Sequence, residues 1–137
     1  MLENRSFDHF FGWSSDLLGT DGLTGDETNL LNTSDHGGDS YAVNADAPYL
    51  NNCDPDHGLP GTTSKIFGAA AVAAGDLSTP TMGGFVEWEN RRGNAGKNYC
   101  DVMSMFTAAE QLPVITALAQ ELGVMDRFFA SVPGPTW

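Results

Sequence analysis

The sequence predicts an α/β fold that is rich in loops, and three observations predict it. Between Pro113 and Leu122 the apolar residues Val114, Ile115, Leu118, Ala119 and Leu122 recur at helical spacing. The mixed run 124–131 is short and bounded by turn formers, and it reads as a buried strand. Helix and strand together make half of a β-α-β unit. Glycine and proline number 16 and 7 among 137 residues, which assigns much of the remaining chain to turns.

Taken in order, the first dozen residues set Phe7, Phe10 and Phe11 among polar groups. Over 14–64 the composition shifts to Gly, Asp, Asn, Ser and Thr, and the expectation is one long loop region, far longer than an ordinary connection. The alanine-rich stretch 67–74 predicts two helical turns that stop at Gly75. Pro113 suits the first turn of the next helix, where its missing N–H costs nothing, and Gly123 is placed to end it. After the expected strand, Pro133-Gly134-Pro135 turns the chain sharply. No internal repeat is visible.

Charge narrows the function classes. Eighteen acidic residues against six basic ones give a net charge of -12, so no basic surface is available to displace counterions from a nucleic acid. No apolar run approaches the roughly 20 residues that span a bilayer. Contact with anionic lipid is opposed by the same charge unless a bound cation reverses the local field. No signal peptide is expected within these residues, since Met1-Leu2 leads at once into Glu3-Asn4-Arg5, and any export signal would precede Met1. Cys53 and Cys100 fit no metal-binding spacing, and whether they pair is left open.

Four stretches carry groups suited to chemistry. In Glu3-Asn4-Arg5-Ser6-Phe7-Asp8-His9, the adjacent Glu and Asn supply one charged and one neutral oxygen ligand, which suit a divalent cation. Read alone, the heptad fits a surface turn better than a metal site. In Asp54-Pro55-Asp56-His57, proline fixes the backbone and His57 is able to contact a phosphoryl oxygen or protonate a leaving group, although a lone loop histidine is more often simply solvated. In Met82-Gly83-Gly84-Phe85, paired glycines permit a close backbone approach, although composition favours a plain turn before an aromatic core residue. In Ser131-Val132-Pro133-Gly134-Pro135-Thr136, a hydroxyl at a Pro/Gly turn stands where a following helix would stabilise a phosphoryl group, and a nearby metal would activate it. Thr136 serves equally as a plain helix cap. Asp35-His36-Gly37-Gly38 reads as a solvated turn.

The order of these stretches, from Glu3-Asn4-Arg5-Ser6-Phe7-Asp8-His9-Phe10-Phe11-Gly12 through Asp54-Pro55-x-His57 and Met82-Gly83-Gly84-Phe85 to Val124-Met125-Asp126-Arg127-Phe128-Phe129 and Thr136, resembles the phosphoesterase family. That family comprises bacterial phospholipases C, plant non-specific phospholipases C and related acid phosphatases. The resemblance implies a fold similar to alkaline phosphatase, a central sheet flanked by helices, of which residues 1–137 would be the N-terminal portion. It implies that Glu3 and Asn4 bind a divalent metal of unspecified identity, and that Asn4 also binds the substrate phosphate. It implies Thr136 as a nucleophile that forms a phosphoryl-enzyme intermediate, and His57 as a group that contacts the phosphoryl or assists the leaving group. Arg5, Ser6 and Asp8 would shape the turn that presents Glu3 and Asn4. Family members continue beyond the threonine with Pro-Asn-Arg and place further acidic and histidine ligands in a C-terminal half.

The expected function is therefore phosphoester hydrolysis of the phospholipase C type, with the isolated fragment inactive. An acid phosphatase acting on soluble phosphomonoesters, or a truncated product without catalysis, are the alternatives. The expected partner is a phospholipid or other phosphoester, membrane contact would be peripheral, and the parent protein would be exported. An acidic calcium-binding loop protein would need carboxylates at regular spacing, and Asp16 to Asp46 show none.

Overall fold

Short helices joined by long turns are what so much glycine and proline dictates. The structure, a computed structural model, describes residues 5–51 and 53–135. In chain order its elements are α1 (Phe7–Phe11), a 3-10 turn (Gly12–Ser14), α2 (Ser15–Leu18), β1 (Thr28–Leu30), β2 (Ser40–Ala42), α3 (Leu59–Phe67), α4 (Ala69–Ala74), α5 (Phe85–Arg91), a 3-10 segment (Ala95–Asp101), α6 (Ala108–Gln111) and α7 (Pro113–Leu122). The described residues are α/β, and their one sheet has two strands. The chain divides into two units: 1–27, 43–49 and 104–129 form the first, and 28–42, 50–103 and 130–137 the second.

In the first unit, buried Phe11, Ala108 and Ala119 form a core against which Phe7, Phe10, Leu18, Ile115 and Val124 pack. Helix α7 begins and ends where the sequence predicts. Pro113 occupies its first turn, and Gly123, at φ +83°, closes it by donating its N–H to Ala119 O at 2.9 Å. Only one side is used for packing. Thr116 and Ala119 are buried, whereas Val114, Leu118 and Leu122 stay exposed.

Residues 124–131 do not form the predicted buried strand. They run through a turn at Asp126 and Arg127, and Met125, Phe128 and Phe129 are 72%, 77% and 80% exposed. A strand exists only where a neighbour completes its ladder, and the two strands among the described residues pair with each other. Here Asp126 instead accepts a hydrogen bond from Asp21 N at 3.0 Å, which fixes a turn.

The loop expected over 14–64 is irregular for most of its length, yet it contains α2, β1, β2 and the start of α3. Short polar side chains complete its turns. Asn32 accepts from Ser34 N, Asp35 from Gly37 N, and Asn44 from Asp46 N. Asp35 and His36 lie exposed in such a turn, as expected.

The second unit holds the sheet, with β1 and β2 antiparallel and Asn29 opposite Tyr41. Helices α3 and α4 are separated by Gly68 at φ +82°, so Phe67 ends α3 and the alanine helix begins at Ala69. Gly75 ends it in the left-handed conformation, as predicted.

Gly84 decides how α5 meets α3. Its N–H donates to Lys65 O at 3.0 Å, and a Cβ added there would lie 2.1 Å from the Ser64 carbonyl oxygen. Gly84 thus makes the close backbone approach that a glycine permits, whereas a Cβ on Gly83 would meet only Thr81, its Oγ1 at 3.4 Å. Gly84→Ala must push α5 off α3, and a loss of at least about 2 kcal/mol is expected in urea unfolding. Gly37, with nothing within 4 Å of an added Cβ, is the control. Gly37→Ala should stay within about 0.5 kcal/mol of the parent, and equal effects of the two changes would refute the assignment.

Candidate functional site

Three of the four site residues expected from the sequence, Glu3, Asn4 and Thr136, lie outside the described residues. The structure does show what surrounds the opening motif. Ser6 caps α1, its Oγ accepting from His9 N at 3.1 Å. The Arg5 guanidinium donates to the His9 ring nitrogen Nε2 and to Tyr49 O at 3.5 Å, and lies 5.6 Å above the Phe106 ring. His9 meets Phe106 edge-on at 4.9 Å, and Tyr49 packs on the same ring at 5.6 Å. Arg5 and Ser6 therefore fix the entry to α1.

This packing has an electrostatic consequence. Burial first, and then the Arg5 charge, lowers His9 from 6.5 to about 4, so the ring is neutral at physiological pH and free to accept from Arg5. A cleft of about 430 Å³ opens beside it, between Arg5, Ser6, Phe7 and Phe10 on one side and Met125 and Phe128 on the other. The first and last of the family-like stretches thus line one cleft within the first unit. The exposed Phe128 and Met125 are its wall, which the reading of 124–131 as a buried strand did not foresee.

His57, the fourth expected residue, lies in the second unit on the loop that enters α3. Its side chain is 53% exposed, with Nδ1 4.0 Å from Asp54 Oδ1 and 3.3 Å from Pro55 O. The loop beneath it is fixed on every side. Asp56 Oδ1 accepts from Gly58 N at 2.8 Å and its Oδ2 from Trp88 Nε1 at 2.9 Å. These bonds, the Gly58 amide foremost, hold the Asp56 carboxyl below its usual range. Gly61 leaves the room for them, because a Cβ there would lie 2.3 Å from Asp56 Oδ2. At the loop's start Cys53 is bonded to Cys100, with their Cα atoms 5.3 Å apart, and Asn51 Nδ2 donates to Cys100 O at 2.7 Å. The pairing left open by the sequence is made.

Behind the loop sit two buried carboxylates that sequence reasoning missed. Burial works to raise Glu87, but hydrogen bonds from Thr33 Oγ1, Arg91 and Ala69 N hold it below its ordinary value. Glu89 has no exposed surface, accepts from Asp56 N, Arg92 and Asn94, and forms an ion pair with Lys65. Neither residue belongs to a stretch that the sequence singles out. The one available signal was Gly61, a poor helix former inside α3 that only a close neighbour explains.

For a divalent metal, Glu3 and Asn4 offer oxygen donors of the right hardness. Among the described residues no cluster of three or more His, Cys, Asp or Glu is placed to complete such a site.

Comparison with known sequences places these motifs. The sequence profile of the Phosphoesterase family matches residues 1–137. The chain belongs to the phosphoesterase family. Within it, the chain is 44% identical to non-specific phospholipase C1 of Arabidopsis thaliana over 138 residues, which are 99% of this chain and 24% of that protein. It is 35% identical to non-specific phospholipase C6 and 34% identical to non-specific phospholipase C3 of the same plant, again over 99% and 98% of its own length and 24% and 26% of theirs. The chain thus spans about a quarter of the length of the curated relatives it matches.

Two outcomes are expected of this phosphoesterase segment. A His with its folded value lowered binds its proton less readily than in the unfolded chain, so the stability it contributes is full above about pH 6.5 and falls as pH drops towards 4. Urea unfolding of His9→Gln between those pH values should show a correspondingly flatter profile. An unchanged slope would place the titrating group elsewhere. Separately, the disulfide closes a loop with a sequence separation of 47, and Cys53→Ala with Cys100→Ala should lower stability by about 4 kcal/mol in the loop-entropy limit.

Proposed function

We propose that the protein carrying this chain is a metal-assisted phosphoester hydrolase of the phospholipase C type, and that residues 1–137 form the N-terminal portion of its catalytic domain. The observation that carries the reading is the family match over the whole of 1–137, joined by relatives that are all named phospholipases C. The rigid loop that presents His57 to solvent supports it, because a group that must meet a substrate atom needs a fixed backbone and an open side chain.

Thr136 Oγ gives its hydroxyl proton to solvent as it attacks the phosphorus of the phosphodiester, and the bond from phosphorus to the lipid oxygen breaks. The leaving oxygen takes a proton from His57. Water then attacks the phosphothreonine, releasing the headgroup phosphate and restoring the hydroxyl. A divalent cation held by Glu3 and Asn4 would supply Lewis-acid stabilisation of charge on the phosphoryl oxygens. Asn4 binds the same phosphoryl group through its side-chain amide.

No helix among the described residues is long and apolar enough to cross a membrane, so the contact with a lipid surface proposed here is peripheral. The disulfide favours an oxidising compartment for the parent protein.

In the full-length protein, Thr136→Ala should reduce hydrolysis of a chromogenic choline phosphodiester by about a thousandfold or more, and His57→Ala by about a hundredfold. Chelation should abolish turnover and added divalent metal restore it. Wild-type rates for Thr136→Ala would overturn the nucleophile. A strong preference for a soluble phosphomonoester over the diester would make the protein a phosphatase instead.

A further inference from the structure

We propose that Glu89 is a positioning residue of this active site, acting through the backbone of Asp54-Pro55-Asp56-His57; the inference rests on the role given to His57 above.

Glu89 Oε1 accepts from Asp56 N at 3.1 Å and lies 3.2 Å from Lys65 Nζ. Its Oε2 accepts from Arg92 Nη1 at 2.9 Å and from Asn94 Nδ2 at 2.9 Å. The same two cations continue to the loop: Lys65 Nζ donates to Asp56 O at 2.6 Å, and Arg92 Nη1 to Asp54 O at 3.2 Å. Three backbone polar groups that flank His57, namely Asp54 O, Asp56 N and Asp56 O, therefore end on Glu89 or on its ion partners. All of them lie within the second unit.

A purely stabilising role fits this arrangement poorly. The Glu89 side chain has no exposure and that of Lys65 is 6% exposed, and a buried ion pair costs more in lost hydration than apolar side chains of similar volume would. What the charges add is direction. A carboxylate with four partners fixes the position of each partner, and two of those partners hold a loop that has no secondary structure of its own. The lock stops at the backbone. Among the described residues His57 itself keeps only Pro55 O and the distant Asp54 carboxylate, and its side chain is 53% exposed.

The test uses the full-length protein with Glu89→Gln, Arg92→Ala, Arg92→Lys and His57→Ala, and with two double variants that combine His57→Ala with Glu89→Gln or with Arg92→Ala. Gln at 89 must turn its amide N–H groups towards two donors on one side, so the loop is released on that side. Glu89→Gln should lower kcat at least tenfold with KM within threefold, and Arg92→Ala, on a side chain 39% exposed and thus safer for folding, about threefold to tenfold. Arg92→Lys should recover most of that loss. The double variant should be no slower than His57→Ala within a factor of two, because positioning a group that is gone has no further effect. Losses that multiply in the double variant, or wild-type kcat in both Glu89→Gln and Arg92→Ala beside an impaired His57→Ala, overturn the positioning role and leave His57 in place. If Glu89→Gln does not fold, the Arg92→Ala pair with His57→Ala decides by the same criterion. Wild-type kcat for His57→Ala overturns the underlying reading of His57 and this inference with it.

Discussion

A carboxylate without access to water must be surrounded by donors, and in the second unit that requirement organises everything else. Glu89 on α5 needs Lys65 from α3, Arg92 and Asn94 from the turn after α5, and an amide from the loop before α3. Helices α3 and α5 are therefore held at a fixed separation, which only a glycine at 84 permits. Glu87, two residues earlier, repeats the pattern towards Thr33 and the first amide of α4. Removing one partner from such a pair is costlier than removing both, since the remaining charge is left buried and unpaired.

The first unit solves a different problem with aromatic rings. Phe106 is nearly fully buried, and Phe10, His9, Tyr49 and the Arg5 guanidinium gather around it. An arginine beside a buried histidine is unfavourable for the imidazolium and favourable for the neutral ring, which accepts its proton donor instead. The residue next to Asn4 is thus anchored by packing and by hydrogen bonding together. On the far side of the cleft, Met125 and Phe128 leave a large apolar surface in water.

Features with a local physical cause were legible in the sequence. Pro113 and Gly123 bounded α7 because each acts on its own backbone position, and Gly75 ended the alanine helix for the same reason. Residues 124–131 were misread because apolar content signals burial only when some partner supplies it, and no neighbouring strand stands beside them among the described residues. Glu89 was illegible for the opposite reason: a charged residue within Glu87-Trp88-Glu89-Asn90-Arg91-Arg92 looks solvated until α3 is seen to cover it. The order of the motifs, by contrast, revealed the family, because it is a property of the chain and not of its packing.

The cystine has a topological meaning beyond its strength. Asp54, Asp56, His57, Lys65, Trp88, Glu89, Arg92 and Asn94 all fall between Cys53 and Cys100, so the covalent ring encloses every member of the polar network beneath His57. A chain that has lost its helices but kept this bond still carries those groups within one closed circuit. Their reassembly is then a search inside a ring, independent of where either end of the polypeptide has wandered.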